Sequence, residues 1–133
     1  QSLLDRVPRG LAELQRSVKL QKRAARVGFD WDAPQPVLDK LAEETAEMHE
    51  AMATGERARM EDELGDLLFV LTNLARQLDI DPARALRGAN AKFERRFRAI
   101  ERAAGNRAAL EAMPLDEMEA LWRRAKRDEG RER

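Results

Sequence analysis

In Glu63-Leu64-Gly65-Asp66-Leu67-Leu68-Phe69-Val70-Leu71-Thr72-Asn73-Leu74-Ala75, apolar residues fall on nearly every side of a helix and the few polar ones line up. Met60, Leu64, Leu67, Leu68, Leu71, Leu74 and Leu78 recur at helical spacing, which predicts a helix from about Arg57 to Leu78, buried on most faces. Asp62, Glu63, Asp66 and Asn73, with Val70 between, share one strip of it. A carboxylate in such surroundings is costly to desolvate unless it is paired or bound to a cation, so Asp66 needs a partner. Gly65 forgoes about 1 kcal/mol of helix stability relative to Ala, suggesting that something approaches the backbone there.

Working outward, every other segment also reads as helix. Pro8 suits a first turn, and Leu11, Leu14, Val18 and Gln21 form one strip that stops near Gly28. After a connection holding Phe29 and Trp31, Asp32 is a plausible N-cap for a second helix that starts around Pro34 to Pro36. Its buried stripe reads as Val37, Leu41, Thr45, Met48 and Met52, ending near Thr54-Gly55. Asp81 as N-cap and Pro82 at the first helical position open a helix to about Ala103, with core face Leu86, Ala89, Phe93, Phe97 and Ile100. Gly105-Asn106 breaks it before a looser segment over residues 108–114, and a last helix, Leu115 to about Asp128, carries Leu115, Met118, Leu121 and Trp122. The expected fold is all-α, an antiparallel bundle of about five helices in one domain, 1–133, with residues 1–8 and 129–133 flexible.

Composition narrows the function. Lys plus Arg and Asp plus Glu both number 25, so no global field draws in nucleic acid or an anionic membrane, and phosphate recognition must be local. The absence of cysteine rules out disulfides and thiolate zinc sites and makes a cytoplasmic location the default. No apolar run approaches the roughly 20 residues that a membrane span needs.

Glu43, Glu44 and Glu47 project from one strip of the second helix, beside its apolar stripe. A lone acidic patch of this kind is commonly a solvated face. Glu44, Glu47, Glu63 and Asp66, two from each of two helices, would repel one another if brought together empty. Hard divalent cations resolve that, and oxygen-only ligands suit Mg²⁺ or Mn²⁺, with phosphates as further ligands. The alternative is a buried ion-pair network with Arg57, Arg59 or Lys40. A di-iron site is excluded, because His49 is the only histidine.

Lys92 and Arg96, at i and i+4, flank Asn90 and could grip phosphates, although Glu94 and Glu101 also allow a solvated basic face. Trp31 and Trp122 could stack on a base or fill a core or interface, and Lys126 follows Trp122 by one turn.

Taken in order, Gly28-Phe29-Asp30-Trp31, Glu43-Glu44 with Glu47, the Glu63 to Phe69 run, Asn90-Ala91-Lys92-Phe93-Glu94-Arg95-Arg96-Phe97 and Trp122 resemble the MazG family over nearly the whole chain. The likeness is to the second, catalytically competent domain of two-domain bacterial enzymes, so the chain would be an excised domain or a short relative. It implies Mg²⁺-dependent hydrolysis of nucleoside and deoxynucleoside triphosphates to monophosphate and pyrophosphate, with broad base specificity, as nucleotide-pool house-cleaning. It further implies a four-helix core completed by dimerisation, hence at least a homodimer. Carried over by position, Glu44, Glu47, Glu63 and Asp66 would be metal ligands, with Glu43 supporting them or the activation of water. Lys92 and Arg96 would hold phosphates, Trp122 and Lys126 would lie around the nucleotide, and Trp31 and Asn90 would contact base or sugar. The alternatives are a catalytically silent MazG-like module for oligomerisation or regulation, and an enzyme narrowed to one base.

Overall fold

The computed structural model describes residues 1–131. These form six α-helices and no strand: α1 (Glu13–Ala25), α2 (Pro34–Thr54), α3 (Arg57–Gln77), α4 (Pro82–Ala104), α5 (Arg107–Ala112) and α6 (Leu115–Arg131). None is long and apolar enough to cross a membrane. The all-α expectation holds, while the looser stretch before Pro114 is a sixth, short helix. There the Asn106 side chain caps α5 by accepting from Ala109 N at 2.8 Å.

Two compact units divide the chain, residues 1–85 and 86–133, with the boundary inside α4. In the first unit both α1 and α2 pack on α3. Helix α1 starts at Glu13, later than Pro8 suggested, because turns occupy the preceding residues: Asp5 N donates to Ser2 O and Val7 N to Leu4 O. Val7 is buried there, and Arg23 Nε donates to Leu3 O at 2.9 Å, tying the N-terminal segment to α1. Gly28, at φ 88°, then stops α1, with Phe29 N closing onto Ala24 O and Gly28 N onto Ala25 O.

The N-cap of α2 is Ala33, not Asp32, and no side chain caps it. The inward stripe also differs from the expected one. It runs Val37, Leu41, Glu44, Met48, Ala51, with Val37, Glu44 and Ala51 buried, whereas Thr45 and Met52 face water. Thr45 instead donates to Leu41 O at 2.8 Å. A carboxylate therefore occupies a position where helical spacing calls for an apolar residue.

Helix α3 is helical where its pattern says, but it is not buried on most faces. Leu64, Leu68, Phe69 and Leu71 are each about half exposed, at 51%, 50%, 47% and 45%. Two neighbouring helices cover only part of its circumference, and its buried residues are Val70, Thr72 and Asn73. A Cβ added at Gly65 would meet nothing within 4 Å, so no part of the chain makes the close approach that this glycine suggested. Asp79, at φ 56°, ends α3 in the role glycine usually plays: Ile80 N donates to Ala75 O and Asp79 N to Arg76 O. Asp81 Oδ1 then accepts from Ala83 N at 3.0 Å and opens α4, as the sequence predicts.

The connection before α2 is clamped onto α3. The Arg76 guanidinium pairs with the Asp30 carboxylate and donates to Asn73 Oδ1 at 2.7 Å. Gln77 Nε2 donates to Asp30 Oδ1 at 2.9 Å and to Trp31 O at 2.7 Å. Charge-assisted bonds of this kind fix the turn more firmly than neutral ones.

The second unit holds the rest of α4 with α5 and α6. Of the expected α4 core face only Ile100 is buried. Phe93 stacks on Phe97 at 6.0 Å between centroids and lies 5.6 Å from the Trp122 ring. Helix α6 continues through Glu129 and Gly130 to Arg131, past the expected end, and residues 132 and 133 of the anticipated tail lie outside the described residues.

Two outcomes test this packing. The hydrogen bond from Arg76 holds the Asp30 carboxyl below its ordinary pKa. A depressed carboxylate contributes stability above its unfolded pKa and loses it as pH falls through the folded one. Asp30→Asn should therefore lower unfolding free energy at neutral pH by about 1–3 kcal/mol, and the gap from the wild type should close below about pH 3.9; urea unfolding at both pH values measures it. Gly65→Ala should stabilise the chain by up to about 1 kcal/mol, because the helix gains propensity and the added methyl meets open space. A loss in the same titration would show that another molecule closes on that face.

Candidate metal centre

Helices α2 and α3 are joined by the left-handed turn at Gly55, φ 70°, and pack along each other, so their acidic strips meet. Glu44, Glu63 and Asp66 each place a carboxylate oxygen within 4.8 Å of the other two. Glu44 is buried, Glu63 half-buried and Asp66 faces water. Glu44 Oε2 and Glu63 Oε2 are both shut off from water and have no hydrogen-bond partner among the described residues. Such orphans are costly, since a buried acceptor loses its water without replacement.

Electrostatics points the same way. The Glu47 carboxyl is pushed above its ordinary pKa, first by the charge of Glu44, then by partial loss of water and by Glu63. Asp66 is raised by loss of part of its hydration, with the charges of Asp62 and Glu44 adding to it. One cation answers them: Lys40 Nζ lies 3.1 Å from Glu44 Oε1 and 3.9 Å from Glu43, and its pKa is raised chiefly by the bond to Glu44. The ion-pair alternative is met only to that extent. Arg59 pairs with Glu50 at 3.9 Å, and among the described residues Arg57 makes no ion pair. One lysine cannot neutralise the cluster, and the two buried oxygens lack a donor while Glu47, within hydrogen-bond reach of Glu44 and Glu63, carries no proton. The donor set is all oxygen and anionic, which fits a hard divalent cation.

Of the other sequence candidates, Glu47 lies beside Glu44 and Glu63 but outside the three-oxygen group, and Glu43 is exposed at its edge. Trp31 is held through its carbonyl by Gln77. Asn90, Lys92, Arg96, Trp122 and Lys126 belong to the second unit. There Arg96 is already engaged: Nη2 lies 2.9 Å from Glu129 Oε2, and its guanidinium sits 5.3 Å over the Trp122 ring. Asn90, Lys92 and Lys126 are exposed. Sequence reasoning put Gln21 on the strip of α1 without giving it a role and passed over Thr72 and Arg76, which are buried or bonded within the first unit; a polar residue on that strip was the available signal for Gln21.

A family model for the MazG nucleotide pyrophosphohydrolase domain matches residues 33–100. That span takes in all five acidic candidates, Asn90, Lys92 and Arg96, and leaves out Trp31, Trp122 and Lys126. The chain is 48% identical over 131 residues to a nucleoside triphosphate pyrophosphohydrolase of Escherichia coli K12, covering 96% of this chain and 50% of that protein. It is 40% identical over 109 residues to a nucleoside triphosphate pyrophosphohydrolase/pyrophosphatase MazG of Thermotoga maritima, covering 81% of this chain and 42% of the other. It also matches the uncharacterized protein YabN of Bacillus subtilis, 42% identical over 132 residues, which are 98% of this chain and 27% of that one. The chain thus spans half or less of the length of these curated relatives. With the family match running through just over half of its 133 residues, the chain belongs to the MazG nucleotide pyrophosphohydrolase domain family.

Proposed function

We propose that this domain hydrolyses nucleoside and deoxynucleoside triphosphates to the monophosphate and pyrophosphate, with Mg²⁺ held by Glu44, Glu47, Glu63 and Asp66 and Mn²⁺ able to replace it. The observation that carries this is the pair of buried, partnerless oxygens Glu44 Oε2 and Glu63 Oε2 beside Asp66. The names of the Escherichia coli and Thermotoga maritima relatives support the substrate class. The chemistry that Mg²⁺ supplies when bound is polarisation of phosphoryl oxygens and acidification of water.

The chain's own residues do the rest. Lys40 pairs with Glu44 and orients it, and Glu43, exposed beside it, is placed to support a ligand or take a proton from water. Lys92 and Arg96 hold phosphate oxygens, lysine as a point charge and arginine as a fork. Trp122 and Lys126 lie around the nucleotide, with Trp31 and Asn90 against base or sugar. Stacking tolerates any base, which supports broad specificity and a house-cleaning role in the cytoplasmic nucleotide pool. The half-exposed Leu64, Leu68 and Leu71 on α3 support a homodimer, since a second copy would cover an apolar strip beside the acidic site.

Pyrophosphate release from a panel of triphosphates should occur with Mg²⁺ and stop without it. Glu63→Gln and Asp66→Asn should each cost on the order of 100-fold or more in rate. A wild type that releases nothing at any Mg²⁺ concentration would leave the silent module as the better reading.

Stability offers an independent measurement. Glu47 and Asp66 have raised pKa values, so the folded metal-free state binds these protons more tightly than the unfolded chain. Metal-free stability should thus rise as pH is lowered from neutrality through the raised values, and the gain should end at the ordinary carboxylate range. Mg²⁺ at neutral pH should raise the melting temperature of the wild type and not that of Glu63→Gln.

A further inference from the structure

A cleft of about 590 Å³ lies between α1, α3 and the clamped connection, with a lining mostly apolar. Phe29, Trp31 and Phe69 give it aromatic walls, and its polar lining groups are Gln21, Asn73 and the Asp30–Arg76 ion pair. Both amides are oriented by chemistry. Thr72 Oγ1 gives its proton to Phe69 O at 2.7 Å, so towards Gln21, 3.0 Å away, it can only accept. The Gln21 atom facing it is therefore Nε2, which also donates to Phe69 O at 3.3 Å. Oε1 is left buried with no partner among the described residues, on a residue that is 92% buried (8% exposed). Arg76 can only donate, so the Asn73 atom it bonds at 2.7 Å is Oδ1, leaving Nδ2 as the spare donor. An acceptor and a donor thus stand among aromatic side chains, in a cleft that the fold keeps open.

We propose that this cleft is a nucleobase subsite in which Gln21, held by Thr72, accepts from a base N–H while Asn73 donates to the neighbouring base acceptor. The inference rests on the triphosphate reading above and says how the base is chosen. Adenine, cytosine, guanine, uracil and thymine each carry an N–H beside an acceptor, so the pair admits all of them. It rejects a planar ring that lacks the N–H, because Oε1 would stay orphaned. Position agrees: Asn73 follows Asp66 by seven residues on the same strip of α3, two turns or about 10 Å along its axis. Base cleft and carboxylates are thereby set along one helix.

The probes are adenosine and purine riboside, which is adenosine without its amino group. Calorimetric binding of each is measured without metal on the Glu63→Gln protein, which leaves the cleft intact. Adenosine should bind about 10-fold or more tightly than purine riboside. Adding Gln21→Leu should bring the two together by weakening adenosine alone. Adding Thr72→Val should erode the preference although Gln21 is present, because its amide is then free to turn, and Thr72→Ser should restore it. Equal binding of the two nucleosides, no binding of either at millimolar concentration, or a Gln21→Leu effect equal on both overturns the proposal. Because no hydrolysis is measured, an inactive wild type would sink the pyrophosphohydrolase reading without deciding this one.

Discussion

A buried carboxylate constrains everything around it. Glu44 sits in the inward stripe of α2, between the buried Val37 and Ala51, facing the acidic strip of α3. Dispersion cannot hold two helices together where like charges meet, so apolar residues such as Val37 and Ala51 on either side must hold the α2–α3 contact while the carboxylates crowd together in its middle. Lys40 meets one Glu44 oxygen and leaves the other without a partner. Burial and repulsion together make the site costly to keep empty, and a bound cation would offset that cost in folding stability.

The same position shows where sequence reasoning reaches its limit. Periodicity located α2, α3 and α4 well, because long amphipathic segments carry redundant signals. It placed the inward face of α2 one residue off, on Thr45, because a hydrophobic stripe is drawn by skipping charged residues, and Glu44 is the residue that belongs in it. Glu63 and Asp66 were legible for the opposite reason: in an apolar helix, an aligned carboxylate stands out. The burial expected for Leu64, Leu68 and Leu71 depends on what surrounds the helix, which periodicity does not report, and α1 and α2 leave that side of α3 uncovered. The Gln21 and Thr72 pair was beyond reach, since its bond joins residues 51 apart and neither side chain means anything alone.

The turn from α1 to α2 shows how local chemistry becomes precision. Gly28 ends α1 in the left-handed region, so the chain reverses within a few residues and brings Asp30 onto α3. Arg76 and Gln77, adjacent on α3, then hold Asp30 and the Trp31 carbonyl. Arg76 also orients Asn73, so one guanidinium fixes both the loop that carries an aromatic wall and the amide that faces it. A single side chain thus sets the geometry of both sides of the cleft.

Charge in the second unit is arranged on a related principle. The chain is neutral overall, so an anion gains nothing at long range and would have to be recognised at contact. Arg96 is held by Glu129 through Nε and Nη2 and by the Trp122 face, which removes much of the entropy that a free arginine would lose on binding phosphate. The cost is competition from Glu129, but a guanidinium has five donors, and a carboxylate that occupies one edge leaves the other to a phosphate. Under the proposed function, restraint of Arg96 by an acid would prepare it for an anion, as the repulsion among Glu44, Glu63 and Asp66 would prepare their site for a cation.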